Sequence, residues 1–281
     1  MALPRVALRS KDGVSATLLP RRGHAAAPLL ACIPGGGCGG RYFDVMTPSV
    51  AASAHARGFA VLLVDRPGHG GSAPITGDRP IRDSLPRLRA LLRDALIASG
   101  APVLALIGHS IGGAIALMLA AAPGELPLRA VAVSGIGDEP PEPTRAWAAA
   151  LDGSPPPPDF GADLFFAPPG SYAWRGPAAL RRAAEPWQMA EVVEIVEAWP
   201  RDWSAIAARV AAPVHLRLAD HDRIWVTGEP VVRRMARALS AAPLVDAALL
   251  ADGGHAYEFH RRGPELIGSQ LDFLDGVLAT R

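Results

Sequence analysis

At 281 residues the chain is long enough for one large α/β domain, or two ordinary ones, with a full buried core. Hydrophobic side chains make up 49% and charged ones 20%, and the formal net charge is +1, so nothing marks an electrostatic nucleic-acid partner. Cys32 and Cys38 are too few for a disulfide framework, and a reducing, cytoplasmic setting is expected. The first thirty residues carry Arg5, Arg9, Lys11, Asp12, Arg21 and Arg22 around no long apolar stretch, so no secretory leader is expected. No uncharged apolar run of about 18 residues, the length of a membrane span, occurs anywhere, and no membrane partner is expected.

Arg5 to Arg9 and Val14 to Leu19 read as two short strands about the turn Lys11-Asp12-Gly13. Leu29 to Ile33 is a continuous apolar strand that runs into a glycine-rich loop. Tyr42 to Arg57 reads as one helix closed by Gly58. Phe59 to Val64 is the next buried strand, followed by Asp65-Arg66-Pro67-Gly68-His69-Gly70-Gly71-Ser72. Ile81 to Ser99 is an amphipathic helix ended by Gly100, with Pro86 as a candidate kink. Apolar Pro102 to Ile107, Leu128 to Ser134, Val214 to Ala219 and Leu244 to Leu250 are further strands, and Val231 to Ser240 and Pro264 to Ala279 are helices. Strands alternating with helices at this spacing imply a mainly parallel sheet covered on both faces.

The stretch from Asp138 to Arg209 breaks the alternation. It contains Trp147, Trp174, Trp187, Trp199 and Trp203 together with Phe160, Phe165, Phe166 and Tyr172, and it is rich in proline, including Pro155 to Pro158. Helices are expected around Pro177 to Ala184 and Pro186 to Ala198. So much aromatic area exceeds what a connection needs, so the stretch is expected to form a cap over the sheet.

Gly108-His109-Ser110-Ile111-Gly112 joins an apolar strand to an alanine-rich helix. That is the strand, sharp turn and helix of a nucleophile elbow, which exposes a serine at the start of a helix whose free N–H groups favour a nearby oxyanion. A serine hydroxyl needs a base within hydrogen-bond reach. Among eight histidines His255 is the best placed, because Asp252-Gly253-Gly254 turns the chain just after the last predicted strand. His260 is an alternative further along, while His109 belongs to the elbow and His69 to a bracing loop. Ile111 N–H is one expected oxyanion donor, and the Gly35-Gly36-Gly37 loop, at Gly36, is the other. No Gly-Lys-Ser/Thr follows those glycines, which argues against a nucleotide phosphate cradle, and no metal is expected from the histidine spacing.

Pro34-Gly35-Gly36-Gly37, Asp65 to Ser72, Gly108 to Gly113, Asp220-His221-Asp222 and Gly254-His255 stand in the order found in α/β-hydrolase fold enzymes. The chain resembles a capped member of that superfamily over nearly its whole length, departing at Pro34, where a histidine is usual. The resemblance implies a mainly parallel eight-stranded sheet with helices on both faces, a core of residues 1–137 and 211–281, and a helical cap of residues 138–210 inserted after strand 6. It implies a catalytic Ser110, Asp222 and His255, with Asp138 after the preceding strand and Asp220 as alternatives for the acid. The expected pocket includes Gly37, Cys38, Trp174, Trp187, Trp199 and Trp203. The implied activity is hydrolysis of an ester, lactone or thioester of a mostly apolar or aromatic small molecule, without a cofactor, by a monomer or homodimer. Hydrolysis of a carbon–carbon bond or a cyclising release step on the same three residues, and a ligand-binding homologue without catalysis, are the alternatives.

Overall fold

The computed structural model describes residues 3–21, 27–150 and 162–279. Arg22, the run Pro155 to Pro158 and Phe160 lie outside the described residues. Eight described strands form one sheet: β1 (Val6–Arg9), β2 (Ser15–Leu19), β3 (Leu29–Ile33), β4 (Ala60–Val64), β5 (Leu104–His109), β6 (Leu128–Ser134), β7 (Val214–Ala219) and β8 (Val245–Leu250). Their order across the sheet is β1-β2-β4-β3-β5-β6-β7-β8. β1 and β2 pair antiparallel, β2 pairs antiparallel with β4, and the remaining pairs are parallel.

β3 and β4 are apolar at every position, and β5 is apolar up to Gly108 and His109, because helices cover both faces. Alternation sorts their side chains: Leu29, Ala31, Ile33, Leu62, Val64, Leu104 and Leu106 face one core, and Leu30, Cys32, Val61, Leu63, Ala105 and Ile107 face the other. The helices are α1 (Val50–Ala56), α2 (Pro80–Asp83), α3 (Leu85–Ser99), α4 (Ile111–Ala121), α5 (Glu142–Ala149), α6 (Ala162–Phe165), α7 (Gly176–Ala183), α8 (Met189–Val193), α9 (Trp199–Ala207), α10 (Glu229–Ala238) and α11 (Gly263–Ala279). α3, α4 and α10 pack on the first core, and α1 and α11 on the second. Among the described residues no helix is long and apolar enough to cross a membrane.

Three helices differ from expectation, each for a proline-related reason. The stretch from Tyr42 to Arg57 is not one helix: a 3-10 turn at Gly40–Asp44 ends before Pro48, and Ser49 then caps α1 by accepting from Ala52 N–H at 3.0 Å. Gly58, at φ +96°, follows α1 as expected. The helix expected from Ile81 breaks at Ser84 into α2 and α3, and Pro86 sits in the first turn of α3, where its missing N–H costs nothing. In the inserted stretch, α8 runs into a π turn at Glu194–Ala198, because Trp199 N–H reaches back five residues to Glu194 O and Pro200 has no N–H to restore the α-helical ladder. Five helices thus stand between β6 and β7 among the described residues, with no strand.

Candidate active site

The loops at the carboxyl ends of β3, β4, β5, β6, β7 and β8 meet on one edge of the sheet, the usual place for function in a parallel sheet. Ser110 leaves β5 at φ +53°, ψ −123°, and its carbonyl accepts from Gly113 and Ala114 N–H to start α4. This turn brings α4 so close to the sheet that side chains are excluded beside it. A Cβ on Gly108 would lie 2.3 Å from Gly112 O, and one on Gly112 would lie 1.9 Å from Ile33 O. Both glycines are therefore obligatory, and the strained serine is held by its surroundings.

His255 hangs from the loop after β8. With its Nδ1 proton donated to Asp222 Oδ2 at 2.8 Å, its Nε2 accepts from the Ser110 hydroxyl at 2.9 Å. Asp222 is itself fixed: its other oxygen accepts from Ile224 N–H at 2.8 Å and Trp225 N–H at 3.3 Å. Asp222 and His255 are both buried. The two alternative acids are engaged elsewhere. Asp138 forms a two-pronged pair with Arg234 at 2.8 and 2.7 Å. Asp220 accepts from Asp252 N–H at 3.1 Å and Gly253 N–H at 3.2 Å, bracing the turn that carries His255.

The two histidines weighed beside His255 in this region are committed too. His260 Nδ1 meets Ser171 Oγ at 2.9 Å, and its Nε2 meets Phe165 O at 3.1 Å. His109 is stacked on Tyr42 and lies 3.2 Å from Ser134 Oγ, which donates to Glu258 at 2.7 Å. Burial lowers the His109 pKa to about 4, against the smaller opposing pull of Glu258. Tyr42 lines the cavity, but its hydroxyl is spent on Glu258 at 2.8 Å, while Arg41 is exposed.

Gly36 and Ile111 both border Ser110, and among the described residues neither backbone N–H has an acceptor. A Cβ on Gly36 would come within 3.1 Å of Ile111 Cδ1. The loop that carries Gly36 is stitched to the inserted helices: Glu185 N–H donates to Gly37 O at 2.8 Å, and Gly39 N–H to Ala183 O at 3.0 Å.

Above Ser110 lies a cavity of about 620 Å³. The sheet edge contributes Gly35, Gly36, Gly37, Cys38, Ile224 and His255, and the inserted stretch contributes mostly apolar side chains: Trp147, Phe165, Phe166, Tyr172, Leu180, Trp187, Ile195 and Val196. Of the four tryptophans expected here, only Trp187 lines it, stacked 6.2 Å from Phe165 and covering Gly37. Trp174 is instead 81% exposed beneath the Arg175 guanidinium. Trp199 and Trp203 are 3% exposed and pack on α4, with Trp199 Nε1–H donating to Gly137 O. Trp147 takes a place in the cavity that its sequence position did not distinguish from the others. Cys38 lines the cavity, but burial pushes its thiol up to about 12, so it stays protonated.

The alpha/beta hydrolase family's profile matches residues 30–266, a span that includes every loop just described. The chain belongs to the alpha/beta hydrolase family. Among curated proteins none matches it. Solved structures similar to this hydrolase-family chain include a thermostable carboxyl esterase from Bacillus coagulans, 16% identical, TM-score 0.72, with 99% of each chain covered. An enol-lactonase from Burkholderia xenovorans LB400 is 19% identical, TM-score 0.69, over 96% of this chain and 99% of its own. A 2-hydroxy-6-oxo-6-phenylhexa-2,4-dienoate hydrolase from Rhodococcus sp. strain RHA1 is 20% identical, TM-score 0.66, over 95% of this chain and 99% of its own. At these identities the likeness is one of fold.

Proposed function

We propose that this protein is a cofactor-independent serine hydrolase that cleaves an ester, or a related lactone or thioester, of a largely apolar small molecule. The observation that carries this reading is the unbroken hydrogen-bond chain from Ser110 through His255 to Asp222, set against an aromatic-lined cavity. In it, Ser110 Oγ attacks the acyl carbon while His255 Nε2 takes the hydroxyl proton, and Asp222 stabilises the imidazolium without itself accepting the proton. The C=O π electrons move onto oxygen, which the N–H groups of Gly36 and Ile111 receive. Collapse expels the alcohol, thiol or opened-ring hydroxyl, protonated by His255. Water, activated by the same imidazole, then releases the acid from Ser110.

The inserted residues 138–210 act as a cap in this reading, excluding water and offering apolar area to the acyl or aromatic group. A fluorophosphonate probe tests the nucleophile. One adduct on the peptide that contains Ser110, absent from Ser110→Ala, is expected. Labelling that persists in Ser110→Ala overturns the assignment. Turnover of acyl esters of graded length, lactones and acyl thioesters then ranks the leaving group.

A further inference from the structure

Arg66 is 0% exposed, a costly place for a guanidinium, and the reaction above gives it no part. It stands in the loop after β4 and bonds to two distant parts of the chain. Nη1 donates to Glu191 Oε1 on α8, which is also buried, and Nη2 donates to Gly35 O at 2.9 Å. His69 lies beside the same guanidinium, its Nε2 3.3 Å from Nη2. Burial, and next the charge on Arg66, lower the His69 pKa to about 3, so the ring adds no second positive charge.

Gly35 C=O and Gly36 N–H belong to one peptide group. In a trans peptide they point in opposite directions, so a donor fixed on the carbonyl also fixes where the N–H is aimed. Glycines on both sides give this peptide unusual freedom to rotate, and tight packing against Ser110 and Trp187 leaves no room for side chains that would restrict it. Resting on the acyl-transfer reading, we infer that Arg66 is a positioning residue for the oxyanion hole, aiming Gly36 N–H at the developing oxyanion, and that Glu191 holds the guanidinium in place from the inserted helices. A planar fork suits this task, since it reaches two acceptors in fixed directions where an ammonium does not. The donor is then set only while α8 is seated, and α8 itself supplies Val192 to the cavity while the π turn that follows supplies Ile195 and Val196.

The test uses the whole protein, a p-nitrophenyl ester and the matching thionoester, whose sulfur fits an oxyanion hole poorly. Arg66→Lys and Glu191→Gln should lower kcat for the ester about 10- to 100-fold, short of the roughly 10²- to 10³-fold loss on deleting a donor. KM should stay within about threefold, and the preference for ester over thionoester should fall about tenfold, because the lost interaction is made to the oxyanion and not to the ground state. Variants that melt cooperatively but keep the wild-type kcat, or that lose rate on both substrates alike, overturn the inference. Should Arg66→Lys not fold, the double exchange Arg66→Met with Glu191→Leu leaves no buried charge unpaired and carries the same expectation. Fluorophosphonate labelling of the wild type separates the two readings. A labelled wild type with indifferent variants overturns this inference alone, and an unlabelled wild type overturns the acyl-transfer reading with it.

Discussion

Ser110 has φ of +53° between two glycines that admit no methyl group. Gly108→Ala or Gly112→Ala drives a carbon into a backbone oxygen, and a loss of about 4 kcal/mol or more is expected, seen as the absence of soluble protein with a cooperative melt. Asp222→Asn keeps the shape of the site but allows the wrong histidine tautomer. Its kcat should fall by about 10⁴-fold, the loss measured in the best-studied serine triad, with the melting temperature little changed. Asp138→Asn, which alters only the pair with Arg234, should leave kcat near wild type. If Asp138→Asn were the inactive variant, the acid would belong to the loop after β6. At this scale the elbow was legible because its steric demand falls on residues within five positions of one another. The pairing of Arg66 with Glu191 was not, because the two lie 125 positions apart and nothing local distinguishes that arginine from the others.

At the scale of elements, the inserted helices are fixed to the core by polar contacts on two sides. Glu194 accepts from Ile81 N–H at 2.7 Å and Arg82 N–H at 3.2 Å, capping α2 from a distance, and burial raises its pKa despite those bonds. Asp202 pairs with Arg79 and Arg82, and Gln188 donates to Gly68 O at 3.2 Å. The segment's aromatic content was plain in the sequence, but which ring faces the cavity was not. That depends on where prolines and the π turn break the helices, since each break rotates the face that follows. Trp187→Ala should raise KM for an aromatic ester about tenfold over its effect on an acetyl ester, the loss of one buried ring contact. Trp174→Ala should change neither. Trp199→Ala and Trp203→Ala, each removing a core ring at a cost of about 3–5 kcal/mol, should lower the melting temperature and affect both esters alike. Steady-state kinetics on the two esters beside thermal melts distinguish these outcomes.

Across the whole molecule, buried histidines weaken the fold in acid: His260, whose pKa burial lowers, and three others. Burial is the leading cause in each: His69 and His215 are lowered to about 3 and His109 to about 4, from an ordinary 6.5. Between pH 6.5 and 4 the unfolded chain binds protons at these positions that the folded chain refuses, so stability is full above pH 6.5 and declines as the pH falls through that window. Melting temperatures measured from pH 7 to pH 4 should fall accordingly, and His215→Leu, far from Ser110 and packed on Phe273, should flatten the decline by one proton without altering kcat. The sheet itself was legible because β3 and β4 are unbroken apolar runs, and Pro28, Pro102, Pro127 and Pro213 stand just ahead of β3, β5, β6 and β7. The strand order has a consequence for synthesis. β6 pairs with β7, yet the residues from 135 to 213 separate them. At about 5–20 residues per second the ribosome needs several seconds to deliver β7, and throughout that interval the apolar edge of β6 has no neighbour. A nascent chain halted near residue 210 should therefore depend on chaperones that shield strand edges, and slower growth at low temperature should raise the yield of the complete protein.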